Sequence, residues 1–243
     1  YYIMKILVVG ATGATGSLLV KQLLDADHAV KAVVRSKDKI SDLAQEYPKL
    51  ILTPGNVLEM NTIELADILE DCEAVCSCLG HNLTWKGIFG KPRRLVTDSV
   101  KNLCIAIQHN KPSFPVKMVL MNTNGNTNRD LNENYSFKDR FVITLLRYLL
   151  PPHVDNENAA DFLRIEIGQD HEYIEWAAVR PDNLIDEQEV SEYMVNPSPV
   201  RGVIFDSGKT SRINVAHFMR RLATESDIWS KWKGQMPVIN NVE

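Results

Sequence analysis

The chain has 243 residues, 44% of them hydrophobic and 24% charged, with a net charge of −4. This is ordinary globular composition, long enough for a substantial core, and it carries no basic excess of the kind that binds nucleic acid. No apolar run approaches the roughly 18 residues needed to cross a bilayer, and no signal-peptide pattern opens the chain. We therefore expect a cytoplasmic protein with a small-molecule substrate, no nucleic-acid partner and no membrane partner. Its oligomeric state is left open. Met4 is expected to start the natural chain, leaving residues 1–3 without a role. The four cysteines, Cys72, Cys76, Cys78 and Cys104, form no Cys-x-x-Cys pair, so buried free thiols are expected and no metal site.

Ile6 to Val9 is a short apolar run that ends in Gly10-Ala11-Thr12-Gly13-Ala14-Thr15-Gly16. Leu18, Leu19, Leu23 and Leu24 then recur at helical spacing. Strand, tight glycine turn and helix follow one another directly. Glycines there permit positive φ and close approach of a ligand, and the following helix N-terminus suits a pyrophosphate. Ala29 to Val34 predicts the second strand and Ser36 to Glu46 a polar helix that Ser36 could cap. Leu50 to Thr53 predicts the third strand, before the turn Pro54-Gly55-Asn56-Val57. A helix over Asn61 to Leu69 is capped by Asn61 or Thr62. The buried strand Ala74 to Leu79 ends at Gly80, and His81 to Arg94 is a long loop.

Leu95 to Gln108 predicts an amphipathic helix and Val116 to Met121 a strand running into Asn122-Thr123-Asn124. Phe141 to Leu150 predicts a helix stopped by Pro151-Pro152. Asn156 to Ile167 predicts another helix, and Ile174 to Val179 a strand ending in Arg180-Pro181. Beyond Asp182 the alternation breaks. Short strands are expected over Glu192 to Val195 and Val200 to Phe205, then a helix over Val215 to Thr224 capped by Asn214, with Trp229 and Trp232 packing in the tail. The fold class is α/β, a Rossmann-type doubly wound parallel sheet with a small C-terminal elaboration on the substrate side. Residues 4–243 form one expected domain, in which 182–243 contribute the substrate-side segment.

Ligands bind such sheets beyond the carboxyl ends of the strands. Arg35 stands after the second strand, where an acid would bond a free ribose 2′-hydroxyl. With Ser36 and Lys37 it offers donors to a 2′-phosphate instead, which favours NADP(H) over NAD(H). Val57 could pack on an adenine whose edge Asn56 bonds, or the two could form a plain polar turn.

Gly10 to Gly16 resembles the GATGxxG signature of extended and atypical short-chain dehydrogenases/reductases. Arg35, Gly55-Asn56-Val57, Leu79-Gly80, Val179-Arg180-Pro181 and Arg212 to Ala216 resemble their NmrA-like, NAD(P)-binding branch, which includes flavin- and biliverdin-reductase-like members. The resemblance runs from Lys5 to about Leu222. It implies a Rossmann fold, NADP(H) across the carboxyl edge and a substrate pocket under the C-terminal segment. The cofactor residues it implies are Gly10, Thr12, Gly13, Ala14, Thr15, Gly16, Arg35, Ser36, Asn56, Val57, Leu79, Gly80, Asn122, Thr123 and Asn124.

The family's Tyr-x-x-x-Lys pair is missing from its usual place. Thr123 corresponds best to the family serine. His153, near the expected tyrosine position, and Tyr135 are the candidate proton donors, with His81 a weaker one. The expected function is hydride transfer from NADP(H) to a small planar acceptor such as a flavin, quinone or carbonyl compound. An easily reduced acceptor needs little protein acid. The alternative is a non-catalytic NADP(H) sensor that binds a partner protein. An epimerase is disfavoured by the missing tyrosine.

Overall fold

The computed structural model describes residues 2–37, 40–81, 90–133, 135–202 and 204–242. The expected first unit is present. Strand β1 (Lys5–Val9) has four of its five residues buried, and helix α1 (Ala14–Asp25) turns Leu19, Val20, Leu23 and Leu24 inward. Strands β2 (Ala29–Val34), β3 (Leu50–Pro54), β4 (Ala74–Ser77), β5 (Val116–Met121) and β6 (Ile174–Pro181) alternate with α2 (Ser41–Glu46), α3 (Thr62–Leu69), α4 (Leu95–Asn110), α5 (Phe137–Leu149) and α6 (Pro151–Asp161). Beyond them come β7 (Asn183–Ile185), β8 (Tyr193–Asn196), β9 (Lys209–Ser211), α7 (Arg212–Thr224), α8 (Ser226–Trp232) and β10 (Val238–Asn241).

The main sheet runs β3-β2-β1-β4-β5-β6-β10-β8, parallel throughout except for β8 against β10. This is a Rossmann-like α/β fold. The order reverses between β1 and β4, which puts a crevice at their carboxyl ends. Because both faces are covered, the strands read as continuous apolar runs rather than alternating ones. On one face α1, α7 and α8 bury Leu19, Leu23, Phe218, Leu222, Trp229 and Trp232. On the other, α3, α4 and α6 bury Leu65, Leu69, Leu103 and Ile107, with Trp176 of β6.

Several local expectations are corrected. The helix predicted from Ser36 covers only Ser41–Glu46 and Ile40 is its N-cap, so Ser36 is not the cap; residues 38 and 39 lie outside the described residues. Asn61 is the N-cap of α3, in a reciprocal bond pattern with Glu64 that satisfies both ends. Pro151 and Pro152 open α6, where a missing N–H costs nothing, as well as ending α5. That helix therefore begins before Asn156, and its continuation Phe162–Ile167 is π-helical. Helix α5 begins at Phe137 rather than Phe141 because Ser136 caps it. Ser211, not Asn214, caps α7: its hydroxyl accepts from Asn214 N at 3.3 Å. Residues 200–202 and 204–205 form no strand. The strand β10 was not anticipated. Of the loop from His81 to Arg94, residues 82–89 lie outside the described residues.

Candidate functional site

Gly10 ends β1 with φ +77°, a conformation that favours glycine. A Cβ there would sit 2.6 Å from the carbonyl carbon and oxygen of Cys78. The turn is thus packed directly on the chain leaving β4. Gly13 N donates to Gly10 O at 2.9 Å, and Ser17 N donates to Gly13 O at 2.9 Å to start the helix. A Cβ on Gly16 would run into the Gly10 carbonyl. Gly13 is the N-cap and has no side chain to offer, so no side chain caps the first N–H groups of α1. Thr12, Gly13 and Ala14 are exposed beside them, whereas Thr15 is buried. A dinucleotide pyrophosphate fits this cradle: Gly10 and Gly16 are demanded by the backbone around them, Gly13 stands tight against Gly10 O, and the uncapped N-terminus of the helix opens beside exposed residues.

Arg35, Ser36 and Lys37 are exposed immediately past β2, the strand next to β1. No acidic side chain stands among them. After β3, Val57 is buried, while Asn56 is occupied by its own turn. Its Oδ1 accepts from Leu58 N at 3.2 Å and its Nδ2 donates to Glu59 Oε1 at 2.9 Å. Leu79 and Gly80 lie just past β4; Leu79 is half-buried, and Gly80 is exposed, with nothing among the described residues where a Cβ would stand.

Beyond β5, the side chain of Asn122 donates to Asn156 O at 2.9 Å and accepts from Thr123 N at 2.8 Å. Asn124 N donates to Pro181 O, and its Nδ2 donates to Asp182 Oδ1. Its own Oδ1 is buried without a partner among the described residues. Thr123 and His153 meet around Gly125. A Cβ on that glycine would lie 3.3 Å from His153 Cε1 and 3.7 Å from Thr123 Oγ1. The structure therefore brings together the two candidates that stand 30 residues apart in the chain, at the carboxyl edge. His153 Nε2 is 3.4 Å from Glu157 Oε1, an ion-pair distance without a formed hydrogen bond. Arg147 grips the same carboxylate at 2.9 Å. Burial favours the neutral form of Glu157, but His153 and Arg147 outweigh it and hold the carboxyl below its ordinary range.

Tyr135 is not brought to this group in the same way. Its hydroxyl donates to Glu133 Oε2 at 2.8 Å, and burial followed by the Glu133 charge pushes its pKa upward. His81 is buried against Asp155, Nε2 to Oδ2 at 2.8 Å. Asp155 also accepts from Val96 N, Thr97 N and Thr97 Oγ1, and so holds the N-terminus of α4. The cysteines are free and inert, with burial pushing the Cys78 thiol up to about 12.

Four acids escaped the sequence reading: Glu133, Asp155, Glu157 and Asp182. Each lies in polar sequence, and three of them, Glu133, Asp155 and Asp182, find partners far away in the chain. Asp182 sits among the strand-end residues that topology singles out, which was the one available signal. Burial pushes its carboxyl up. A groove of about 1300 Å³ lies at the opposite edge, by Met4, Glu73 and Val116 at the amino ends of β1, β4 and β5, away from this crevice.

The family model described as NAD(P)H-binding matches residues 10–226. The chain belongs to this NAD(P)H-binding family, which bears out the NAD(P)-binding character that the resemblance implied. It is 38% identical over 77 residues to an uncharacterized chloroplastic protein of Arabidopsis thaliana, a match spanning 31% of this chain and 27% of that protein. Among solved structures, it superposes on a wide-type short-chain dehydrogenase/reductase of Veillonella parvula in complex with NADP (TM-score 0.69, 15% identity, 99% of this chain and 95% of that one). It also superposes on an anaerobillin reductase of Escherichia coli O157:H7 (TM-score 0.68, 15% identity, 99% and 98%). At these identities the likeness is one of fold.

Proposed function

We propose that the protein is an NADP(H)-dependent oxidoreductase that reduces a small planar acceptor: a flavin, a quinone or a related carbonyl compound. The observation that carries this reading is the closed glycine cradle between β1 and α1, with Arg35 exposed at the end of the neighbouring strand. The first-turn N–H groups after Gly13 hold the pyrophosphate. Arg35 and Ser36 hold the 2′-phosphate through charge-assisted bonds, and the side chain of Val57 supports the adenine. Gly80, Thr123 and Asn124 line the nicotinamide side. When bound, the dinucleotide supplies the hydride; the acceptor also takes up a proton. Thr123 orients the acceptor, and His153, whose buried Nε2 has no hydrogen-bond partner among the described residues, holds and delivers that proton. Residues 4–243 act as one unit in which 182–243 form the substrate side. The solved relatives named above, one an anaerobillin reductase and one holding NADP, support the reductase chemistry and the cofactor by analogy of fold.

A second reading, an NADP(H) sensor that binds a partner protein, is favoured by one observation. The candidate donor Tyr135 spends its hydroxyl on Glu133. NADPH consumption with a panel of flavins, quinones and aldehydes separates the two. Turnover of at least one acceptor class is expected. Tight NADPH binding with no turnover on any of them would give the protein to the sensor class.

A further inference from the structure

Helix α5 is amphipathic the wrong way round for a helix that serves only its own core. Of its thirteen residues only Asp139 and Ile143 are buried. Phe137, Phe141, Leu145, Tyr148 and Leu149 are exposed, at 86%, 63%, 45%, 83% and 56%. Their spacing of three or four residues puts them on one face of the helix, a continuous apolar stripe about 20 Å long at 1.5 Å per residue. Such stripes on soluble proteins mark a surface that is covered in use.

The polar residues around the stripe say what covers it. At about 100° per residue Lys138 falls within the stripe, between Leu145 and Leu149, and Arg140 lies beyond its other edge, past Phe137; both are exposed, and neither forms an ion pair among the described residues. The helix's one acid, Asp139, is turned inward, bonded to Ser136 Oγ at 2.8 Å and to Ile204 N at 3.2 Å. The exposed charges of the helix itself are thus both cationic, on an aromatic and aliphatic face; on the adjoining segment Asp206 is exposed and pairs with Arg201. A second copy seated on it would set these cations against their own kind. An anionic, apolar partner matches it.

We propose that α5 docks the protein in the plane of an anionic lipid surface, with the aromatic stripe in the acyl boundary and Lys138 and Arg140 at the headgroups. A helix of thirteen residues is too short to cross the roughly 30 Å hydrocarbon core, so it lies on the membrane rather than through it. The sequence-based expectation of no membrane partner rested on the lack of a spanning segment, which does not bear on an in-plane helix. Val200 and Phe205, also exposed, lie on the segment that meets α5 at Asp139 and extend the apolar surface near its N-terminal end. The docking is independent of the cofactor reading, because no residue of the stripe belongs to the dinucleotide crevice.

The test is cosedimentation of the full chain with vesicles of phosphatidylcholine alone and of phosphatidylcholine mixed with phosphatidylglycerol. Binding to the anionic vesicles, weakening with salt, is expected, with little binding to the neutral ones. Phe141→Ser should lower partitioning about tenfold or more. Lys138→Ser with Arg140→Ser should lower it about thirtyfold. Both variants should keep wild-type circular dichroism and NADPH affinity, since all three side chains point outward. As a measurement free of charge changes, Tyr148→Trp should show a blue-shifted emission on anionic vesicles. Equal weak partitioning to both vesicle types, variants that bind like wild type, or an unshifted tryptophan would overturn the proposal. So would a dimer that Phe141→Ser splits without any lipid binding, since the face would then belong to a second copy.

Discussion

Arg180 and Glu133 form a bidentate ion pair, at 2.6 Å and 3.0 Å, in which neither side chain reaches water. Arg180 stands near the end of β6, and Glu133 belongs to the polar segment after β5. The guanidinium also donates to the carbonyls of Met236, Asn126 and Pro197. One side chain thus ties together the segment after β5, the approach to β10 and the end of β8. Removing it leaves a buried carboxylate without its counter-charge, held only by Asn128 N and the Tyr135 hydroxyl, and takes the guanidinium donor from three carbonyls. Arg180→Met should destabilise by about 4 kcal/mol. The apolar double variant with Glu133→Leu should recover only part of that, since the carbonyls stay unpaired. Denaturant melts of the two variants check this; full recovery in the double would show that the carbonyl bonds contribute nothing.

The glycines of the site divide sharply by what surrounds them. Gly16→Ala collides with backbone that cannot give way, so loss of stability of several kcal/mol and loss of dinucleotide binding are expected together. Gly80→Ala meets nothing within 4 Å among the described residues, so the fold should be unaffected. If Gly80 lines the nicotinamide, its variant weakens NADPH binding while Tm is unchanged. Thermal melts with and without NADPH separate the two cases.

Acid should unfold the protein through a small set of carboxylates. Burial disfavours ionised Asp155, but the bonds from His81, Thr97 and the amides of Val96 and Thr97 outweigh it and keep its carboxyl below the ordinary value of 3.8. A carboxyl depressed in the folded state binds fewer protons there than in the unfolded chain. Its stabilisation is therefore complete above the ordinary carboxylate range and is lost as pH falls through the folded value. Glu157 and Glu175 share this sign. Asp182 has the opposite one: burial raises it, so its contribution is present below the ordinary value and fades as pH rises through the folded one. With Asp25, also held low, four depressed carboxylates among the described residues stand against this one and predict a net fall in Tm between about pH 6 and about pH 3. Asp155→Asn should cost about 3 kcal/mol at neutral pH and flatten that fall; an unchanged slope would remove Asp155 from the account.

His153 and Tyr135 are distinguished by their partners. His153→Ala should lower kcat by about a hundredfold with an acceptor that needs a proton from the protein, such as an aldehyde. Tyr135→Phe should leave kcat near wild type and cost only about 1 kcal/mol of stability, since it removes a hydrogen bond to Glu133. The reverse pattern would transfer the donor role to Tyr135.

Much of the fold was legible because its signals are local. The run Val116 to Met121 and the helix-spaced leucines after Gly16 each carry their own period. The exchange of cap between Asn214 and Ser211 was not legible, because both are good capping residues and only the start of the helix decides between them. The inward turn of Asp139 and the outward turn of five apolar side chains on α5 were hidden for a different reason: a sequence shows that a helix is two-faced, not which face meets the core. At the site, the cradle and Arg35 could be read from spacing. The pairs His81–Asp155 and Arg180–Glu133 could not, because their partners lie 74 and 47 residues apart in sequence without a shared pattern.

The central claim is that this crevice holds NADP(H), with Arg35 on the 2′-phosphate. Dissociation constants of NADPH and NADH for wild type and Arg35→Ala test it most directly, by titration calorimetry or quenching of tryptophan emission. We predict that wild type prefers NADPH and that the variant loses about tenfold to a hundredfold in NADPH affinity while NADH is held as before. An equal loss for both dinucleotides, or no loss for either, would contradict the account.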